Sequence, residues 1–136
     1  MIEHEPYLDL TVGPYALALA ARAVVLVRED VRIVASVEIR GSAAPMCDLG
    51  RIFGVNQRSH APYMIAVEAG GRTAAVGVDR VGHLRRREAP TLRHIPGFGL
   101  LAPTLFAGGL RDGDRLLLVV DPAALVALTY NGLLPI

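Results

Sequence analysis

Cysteine is nearly absent from this chain of 136 residues, and lysine is absent altogether. Because Cys47 is the single cysteine, no internal disulfide can form and paired-cysteine metal sites are excluded. All 14 basic residues are arginine. Arginine favours forked contacts, but the base composition of a genome produces the same bias. The formal net charge of +1 predicts neither a nucleic-acid partner nor an acidic membrane surface.

Long apolar runs and aromatic side chains are also scarce. The apolar stretches 15–27 and 116–130 are interrupted by Arg22 and by Asp121, so each is shorter than the roughly 20 residues that a membrane helix needs. Four tyrosines and three phenylalanines form no stacking platform near the arginines, which disfavours single-stranded nucleic acid as a ligand. The first residues lack the pattern of a secretion signal. We therefore expect a soluble, cytoplasmic protein.

No group of residues is typical of catalysis or metal binding. The four histidines are scattered, and the chain has no HExxH motif, GxSxG elbow or Walker loop. The stretch 97–102 matches a loose GxGxxA pattern in a Pro-rich segment, and we interpret it as chance. Cys47 lies beside Met46 and near Leu49, which is typical of an inert buried thiol. The sequence thus predicts no enzyme, no cofactor and no metal.

The chain is 52% apolar, and its length and apolar content are sufficient for the core of a single domain over 1–136. Several segments alternate apolar and polar residues, as β-strands do. Three hairpins are predicted from pairs of strand-like segments that flank a turn signal. The segment pairs are 8–12 with 15–19 around Gly13-Pro14, 63–68 with 73–78 around Gly70-Gly71, and 105–110 with 115–120 around Asp112-Gly113.

Three aspartates are predicted to cap helices. Asp48 precedes a short turn over 49–53, Asp79 a brief helix to about residue 84, and Asp121-Pro122 a final helix. Residues 20–27 fit either a short helix or a strand. Residues 55–62 are predicted to be a linker and 85–103 a long excursion.

The clearest alternation covers residues 31–40 and raises a question about Arg40. Apolar residues occupy one parity, and Arg32, Glu38 and Arg40 lie on the other, so the arginine is predicted on the outer face of a strand. It could be a catalytic or phosphate-clamping group, a solvated residue or a contact for another protein. The densest basic patch is the run 84–88, which contains Arg85, Arg86 and Arg87, with Arg80, His83, Arg93 and His94 near it. It is either a docking surface for an acidic partner or a solvated loop.

A weak internal repeat joins the two halves of the chain. The stretches TVGPYALALAARAVVL (11–26) and EAGGRTAAVGVDRVGHL (68–84) share a turn, a returning strand and an arginine followed by apolar residues. DL at 48–49 likewise corresponds to DP at 121–122. This predicts two similar small β units.

The pattern IRG…P…DL…FG over 39–54 resembles the Leu-Arg-Gly, Pro, Asp-Leu and Phe-Gly segment of the CheW family of chemotaxis coupling proteins. AVGVDRVGHL (75–84) resembles its strand-to-helix unit, and GLRDGDRLLLVVD (109–121) resembles its last hairpin. Together with the first hairpin, these segments cover nearly the whole chain in the family's order.

The resemblance implies an all-β fold of two SH3-like five-stranded barrels with short helices. We expect the first barrel over about 15–62 with C-terminal elements, and the second over about 63–121. It also implies a non-catalytic adaptor, without cofactor or metal, that couples the cytoplasmic tails of chemoreceptors to the regulatory domain of a CheA-type histidine kinase. Such a protein binds no nucleic acid and reaches the membrane only through receptor complexes.

The candidate protein-binding residues are therefore Arg40 and Gly41 with the neighbouring Glu38, and the basic Arg80, Arg85 and Arg86. Arg40 and Gly41 match the family's residue pair for coupling, whereas Glu38 stands where the family commonly has asparagine. The alternative function is a small-molecule-binding β module, with its ligand in a cleft between the two halves and residues 85–103 as a lid.

Overall fold

The structure is a computed structural model that describes residues 4–54, 57–88 and 105–132. Strands dominate this part of the chain, and they are β1 (His4–Val12), β2 (Tyr15–Ala20), β3 (Val24–Arg32), β4 (Ser36–Ile39), β5 (Ser42–Asp48), β6 (His60–Ala69), β7 (Arg72–Val78), β8 (Arg80–Glu88), β9 (Phe106–Asp112) and β10 (Arg115–Val120). An α-helix, α1 (Pro122–Asn131), follows β10. Single 3₁₀ turns cover Ala21–Ala23 and Leu49–Arg51.

The strands form two five-stranded sheets of the same design. The first sheet has the order β8-β1-β2-β10-β9, and the second sheet has the order β3-β6-β7-β5-β4. In each sheet a hairpin, β1-β2 or β6-β7, lies at positions two and three and pairs in parallel with β10 or β5. The predicted all-β class with two SH3-like barrels is confirmed.

Each sheet contains strands from both halves of the chain, and the equivalent strand order of the two sheets agrees with the predicted internal repeat. The repeat units are β1 to β5 and β6 to β10. The first sheet combines β1 and β2 of the first unit with β8, β9 and β10 of the second, and the second sheet makes the reciprocal combination. The expected barrel ranges, about 15–62 with C-terminal elements and about 63–121, divide the chain mainly by sequence order. Each sheet of the structure contains strands of both repeat units.

The three predicted hairpins are present. Two-residue turns separate the partners Val12 and Tyr15, Ala69 and Arg72, and Asp112 and Arg115. Both residues of the Gly70-Gly71 turn have positive φ, +59° and +77°. Backbone of this kind is strained for side chains with a Cβ atom, so the paired glycines mark this turn in the sequence.

Two of the three predicted helix caps are confirmed. The Asp48 carboxylate accepts a hydrogen bond from the Gly50 N–H at 3.1 Å at the start of the 3₁₀ turn. The Asp121 carboxylate accepts one from the Ala123 N–H at 3.0 Å, and Pro122 is the first residue of α1. An oxygen acceptor at this position satisfies N–H groups that have no partner inside the helix.

The third cap is wrong, because Asp79 lies between β7 and β8 and is followed by a strand instead of a helix. One of its carboxylate oxygens accepts a hydrogen bond from the Gly13 N–H at 2.6 Å, and its own N–H donates to the Thr11 carbonyl at 3.0 Å. The carboxylate is therefore occupied by the β1-β2 turn. The residues after it pair with β1 as β8, where Arg85 and Arg87 lie near Asp9.

Three further expectations need correction, and one ambiguous stretch is resolved. The predicted strand over 31–40 is broken, since β3 ends at Arg32 and β4 begins at Ser36. The ambiguous stretch 20–27 divides into a 3₁₀ turn and the start of β3. The predicted linker 55–62 already contains the start of β6 at His60, and the predicted excursion 85–103 contains the end of β8. Positions 55–56 and 89–103 of those segments lie outside the described residues.

Three apolar clusters hold the molecule together. A small cluster lies within each sheet, one around Ala18 and Leu117 and one around Met64 and Ala75. The largest cluster is shared by both sheets, and its fully buried members include Leu17 and Ile65. Helix α1 lies against β5, β6 and β7 and adds buried side chains to the shared cluster. Burial of this continuous apolar surface is the main stabilising contribution.

Candidate protein-binding surfaces and the joint between the sheets

Arg40 and Gly41 form the two-residue turn between β4 and β5. Ile39 pairs with Ser42, and the two turn residues have φ values of +51° and +81°. Positive φ at both central positions is the signature of a type I′ hairpin turn. Arg40 was predicted on the outer face of a strand, and its place in the turn corrects that prediction. Its predicted exposure is confirmed, and Gly41 is exposed as well.

The backbone of Arg40 is in the left-handed region, where a residue with a long side chain is disfavoured. A non-glycine residue in this region costs about 1–2 kcal/mol, and asparagine and glycine are the residues that adopt it most readily. Within the described residues, the Arg40 guanidinium forms no hydrogen bond or ion pair that would offset this cost. The turn therefore presents a strained, exposed arginine.

Glu38 lies on β4 close to this turn and is exposed. Its carbonyl oxygen accepts a hydrogen bond from Nη1 of Arg28 at 3.2 Å, which ties β4 to β3 although the two strands lie at opposite edges of the second sheet. The Met46 N–H donates to the Ala35 carbonyl at 3.0 Å and so extends the pairing of β4 with β5 by one step. We refer to Glu38, Arg40 and Gly41 together as the hairpin surface.

The basic candidates Arg80, Arg85 and Arg86 lie on β8, an edge strand of the first sheet. All three are exposed, but their surroundings differ. Arg80 is opposite Thr11, Nε of Arg85 lies 3.4 Å from Asp9, and Arg86 is opposite Pro6. We call these three residues the β8 surface. The structure thus places the six candidates on two surfaces of different sheets.

An ion-pair group at the joint between the sheets was missed in the sequence. Nε and Nη2 of Arg58 each donate to Asp48 at 2.9 Å, and Nη1 donates to Asp79 at 2.5 Å. The pKa of Arg58 is raised, first by its hydrogen bonds to Asp48. Because Asp79 also accepts from the Gly13 N–H, the group connects the end of β5 to the β1-β2 turn. We call Asp48, Arg58 and Asp79 the joint triad.

The space around the joint triad is tight. A Cβ atom on Gly77 would lie 2.9 Å from Cβ of Ala61 and 3.3 Å from the Asp48 carboxylate, closer than side chains pack. Asp48 is 3% exposed, so its carboxylate depends on Arg58 and the Gly50 N–H. Arg58 lies in a polar stretch that resembles a linker, and only the two aspartates gave a signal in the sequence.

A ring contact also crosses the joint. The Tyr15 ring on β2 lies 4.9 Å from the Phe53 ring, which follows the 3₁₀ turn at Leu49–Arg51. Phe53 in turn lies 6.1 Å from Phe106 at the start of β9. Tilted rings at these separations add to the apolar packing. The joint therefore combines an ion-pair group with an aromatic cluster.

Cys47 lies on β5 next to the joint triad. Its Sγ is 3.5 Å from Oγ1 of Thr129 on α1. Burial raises the pKa of the thiol to about 11, which the Thr129 contact only partly counteracts. A thiol in this state is a poor nucleophile at neutral pH, so the structure agrees with the predicted inert role.

The structure describes two cavities that bear on the small-molecule alternative. One has a volume of about 380 Å³ and is lined by residues that include Tyr15, Leu116 and Arg115. The other has about 300 Å³ and lies between the ends of β8 and β9. Both are lined by residues of the first sheet and its β1-β2 turn, and no residue of the second sheet lines either of them.

Neither a group of metal ligands nor a membrane-spanning helix occurs among the described residues. No three or more His, Cys, Asp or Glu side chains are grouped as metal ligands within 4–54, 57–88 and 105–132. In the same residues, no helix has the length and apolar character to span a membrane.

Comparisons with known proteins identify the family. The CheW-like domain family matches residues 22–129, which is most of the chain. The scaffolding protein TtCheW from Thermoanaerobacter tengcongensis has a similar structure, with a TM-score of 0.72 and 18% sequence identity. The match covers 88% of this chain and 90% of that one. No curated protein sequence matches the chain. The chain belongs to the CheW-like domain family, a family of non-catalytic scaffold and adaptor proteins of chemotaxis.

Proposed function

We propose that this adaptor couples the cytoplasmic tail of a chemoreceptor to the regulatory domain of a CheA-type histidine kinase, in the cytoplasm. The proposal extends the adaptor role of the family to named partners. A coupling protein needs at least two contact surfaces that can be occupied together. The hairpin surface and the β8 surface meet this need, because they belong to different sheets.

The observation that carries the proposal is the backbone of Arg40. A left-handed φ of +51° at an arginine weakens the fold, and the side chain makes no polar contact with described residues in return. Strained residues of this kind concentrate where a protein binds something. The guanidinium offers five N–H donors on a rigid hairpin and can form a forked contact with a partner carboxylate.

Glu38 and Gly41 support the same surface in different ways. Arg28 binds the Glu38 carbonyl and so fixes the hairpin relative to β3. Gly41 has open space around it and a φ of +81°, so a partner can approach the backbone closely at this point. We propose that the exposed Arg80, Arg85 and Arg86 form the second contact, with an acidic surface of the other partner.

The test is a binding assay with variants that reverse one charge. The purified chain, carrying an affinity tag, is used to capture proteins from its source cell, and a histidine kinase or a chemoreceptor should co-purify. Arg40→Glu should reduce that recovery at least about tenfold, the effect of about 1.4 kcal/mol. The melting temperature of the Arg40→Glu variant should not fall.

Arg32→Glu is the matched control, because Arg32 is an exposed arginine of the same sheet outside the hairpin surface. Equal loss of binding in both variants would point to general electrostatics and contradict the role of Arg40. Capture of neither a kinase nor a receptor would contradict the proposal as a whole. A small molecule that raises the melting temperature and leaves partner recovery unchanged would instead favour the ligand-binding alternative.

A further inference from the structure

A cavity opens where the two edge strands of the first sheet approach each other. β8 and β9 are the outer strands of that sheet and are not hydrogen-bonded neighbours. The cavity between them has a volume of about 300 Å³. Its lining comes from three strands and is predominantly charged: His4, Arg86, Arg87, Glu88, Leu110 and Arg111. Arg86 of this lining also belongs to the β8 surface, and the other five residues belong to neither proposed contact surface.

Arg87 is the most enclosed cation of this lining, with a side chain that is 11% exposed. Its Nη2 donates to both carboxylate oxygens of Asp9, at 2.9 and 3.1 Å, and lies 3.6 Å from Asp112. Its Nε is buried and has no hydrogen-bond partner. Buried donors in native proteins are nearly always paired, so an unpaired guanidinium N–H indicates an acceptor that is missing here.

Two further arginines line this cavity, one from each edge strand. Arg86 on β8 and Arg111 on β9 are both exposed, and neither forms an ion pair with the described residues. Asp9 and Asp112 offset the charge of Arg87, and Glu88 lies 3.9 Å from His4. The charges of Arg86 and Arg111 thus remain uncompensated in this group.

We propose that the cavity binds an oxyanion, a carboxylate or a phosphate group, between Arg86 and Arg111 and above Arg87. A group with several oxygen acceptors can accept a forked contact from one arginine and a second contact from the other. A small shift of the side chains at the entrance would also give the Arg87 Nε–H the acceptor that it lacks. The site is separate from the hairpin surface and shares Arg86 with the β8 surface, but the proposal does not depend on the kinase or receptor as partners.

The same residues have a simpler explanation that the test must separate. Charged side chains on an exposed edge strand hinder pairing with another chain, and a bound water can satisfy a buried N–H. Protection of the edge strand requires only the two exposed cations, and pairing of the buried N–H requires only a water. Neither role predicts saturable binding of an anion. Titration with an anion therefore distinguishes the two explanations.

The experiment follows the arginine Nε–Hε signals of the full ¹⁵N-labelled chain by NMR. Inorganic phosphate is added in one arm and a capped tetraglutamate peptide in the other, with chloride adjusted so that ionic strength stays constant. We expect saturable shifts of the Arg86, Arg87 and Arg111 signals. Arg111→Gln should raise the dissociation constant roughly tenfold, because a hydrogen bond to a charged group is lost.

Arg115→Gln is the matched control, since Arg115 is an exposed arginine near Asp112 that does not line this cavity. It should leave the dissociation constant unchanged. Tighter binding of phosphate identifies a free anion as the ligand, and tighter binding of the peptide identifies an acidic protein segment. Shifts that do not saturate, an unmoved Arg87 signal, or equal effects of Arg111→Gln and Arg115→Gln would overturn the proposal.

Discussion

Arg58 holds Asp48 through a forked ion pair, in which Nε and Nη2 each lie 2.9 Å from a different carboxylate oxygen. The third contact of the same guanidinium reaches Asp79, which also accepts from the Gly13 N–H. One side chain thereby connects the second sheet to a turn of the first. Because Asp48 is almost fully buried, this connection should be among the most sensitive positions of the fold.

The first prediction concerns Arg58→Met. The substitution keeps the apolar part of the side chain but leaves the Asp48 carboxylate buried with only the Gly50 N–H as a partner. We expect the free energy of unfolding to fall by about 2–3 kcal/mol, below the full cost of a completely buried pair because Arg58 is 21% exposed. Chemical denaturation measures this change in the free energy of unfolding. Arg32→Met, at an exposed position, is the control, and an equal loss in both variants would contradict the role of the joint triad.

A second prediction tests the packing beside the triad through Gly77→Ala. The added methyl group would lie 2.9 Å from Cβ of Ala61 and 3.3 Å from the Asp48 carboxylate, so the strands must move apart. We expect a loss of about 1–3 kcal/mol in unfolding free energy. Ala61→Gly in the same chain removes the nearest contact and should recover part of the loss beyond the sum of the single changes. Strict additivity of the two changes would argue against the clash.

The third prediction separates folding from binding at Arg40. Arg40→Asn creates an Asn-Gly pair, which is the preferred pair for a type I′ turn, and should raise the free energy of unfolding by about 1 kcal/mol. The same variant should bind the proposed partner less well, since the guanidinium is removed. Thermal denaturation and the capture assay measure the two effects.

Ser42→Asn is the control for this variant. Ser42 is the first residue of β5, next to the turn, where the backbone is extended and asparagine is unfavourable. It should therefore not stabilise the protein. A destabilised Arg40→Asn variant would show that the arginine contributes to the fold, and the argument for a binding role would lose its basis.

A fourth prediction concerns Cys47 reactivity. Burial raises the thiol pKa from 9.0 to about 11, so the reactive thiolate is about 100-fold scarcer at neutral pH than for an ordinary thiol. Modification by a thiol reagent should be slow in the folded protein and fast after denaturation. A Ser42→Cys change in a Cys47→Ala chain supplies the exposed comparison. Equal rates for the two cysteines would contradict the burial of the thiol.

The same pKa gives a pH dependence of stability. The unfolded chain releases the thiol proton at a lower pH than the folded chain, so the contribution of the neutral thiol is complete below about pH 9 and is lost as the pH rises towards 11. The stability of the protein should decline more steeply over this range than that of Cys47→Ala. The comparison between the two chains isolates Cys47 from Tyr7, whose pKa burial also raises.

Local signals in the sequence were sufficient for the turns and for two of the caps. The turn at Gly70-Gly71 and the helix start at Asp121-Pro122 are determined by the residues at those positions. Both could therefore be predicted without knowing which distant residues they contact. Asp79 has the same local appearance as a cap, but its carboxylate is taken by Gly13 and Arg58, which are distant in the sequence. Tertiary contacts of this kind decide between helix and strand and are not visible in local periodicity.

At the candidate site, too, the sequence could not reveal features that depend on tertiary contacts. Alternation correctly predicted that Arg40 is exposed, but it could not reveal the left-handed backbone, because that depends on the pairing of β4 with β5. Arg58 and Arg111 gave no signal, since an arginine in a polar stretch has the same local appearance whether it is solvated or bound. Their surroundings are assembled from strands that lie far apart along the chain.

The reciprocal exchange of strands between the two sheets has a consequence for how such a protein can evolve. β3 leaves its own hairpin to pair with β6, and β8 does the same with β1, so a single repeat would expose strand edges and half of an apolar interface. Neither half of the chain could therefore be deleted or recombined on its own without leaving the other half with unpaired strands. A change at one strand edge would be tolerated only if the opposite half accommodates it.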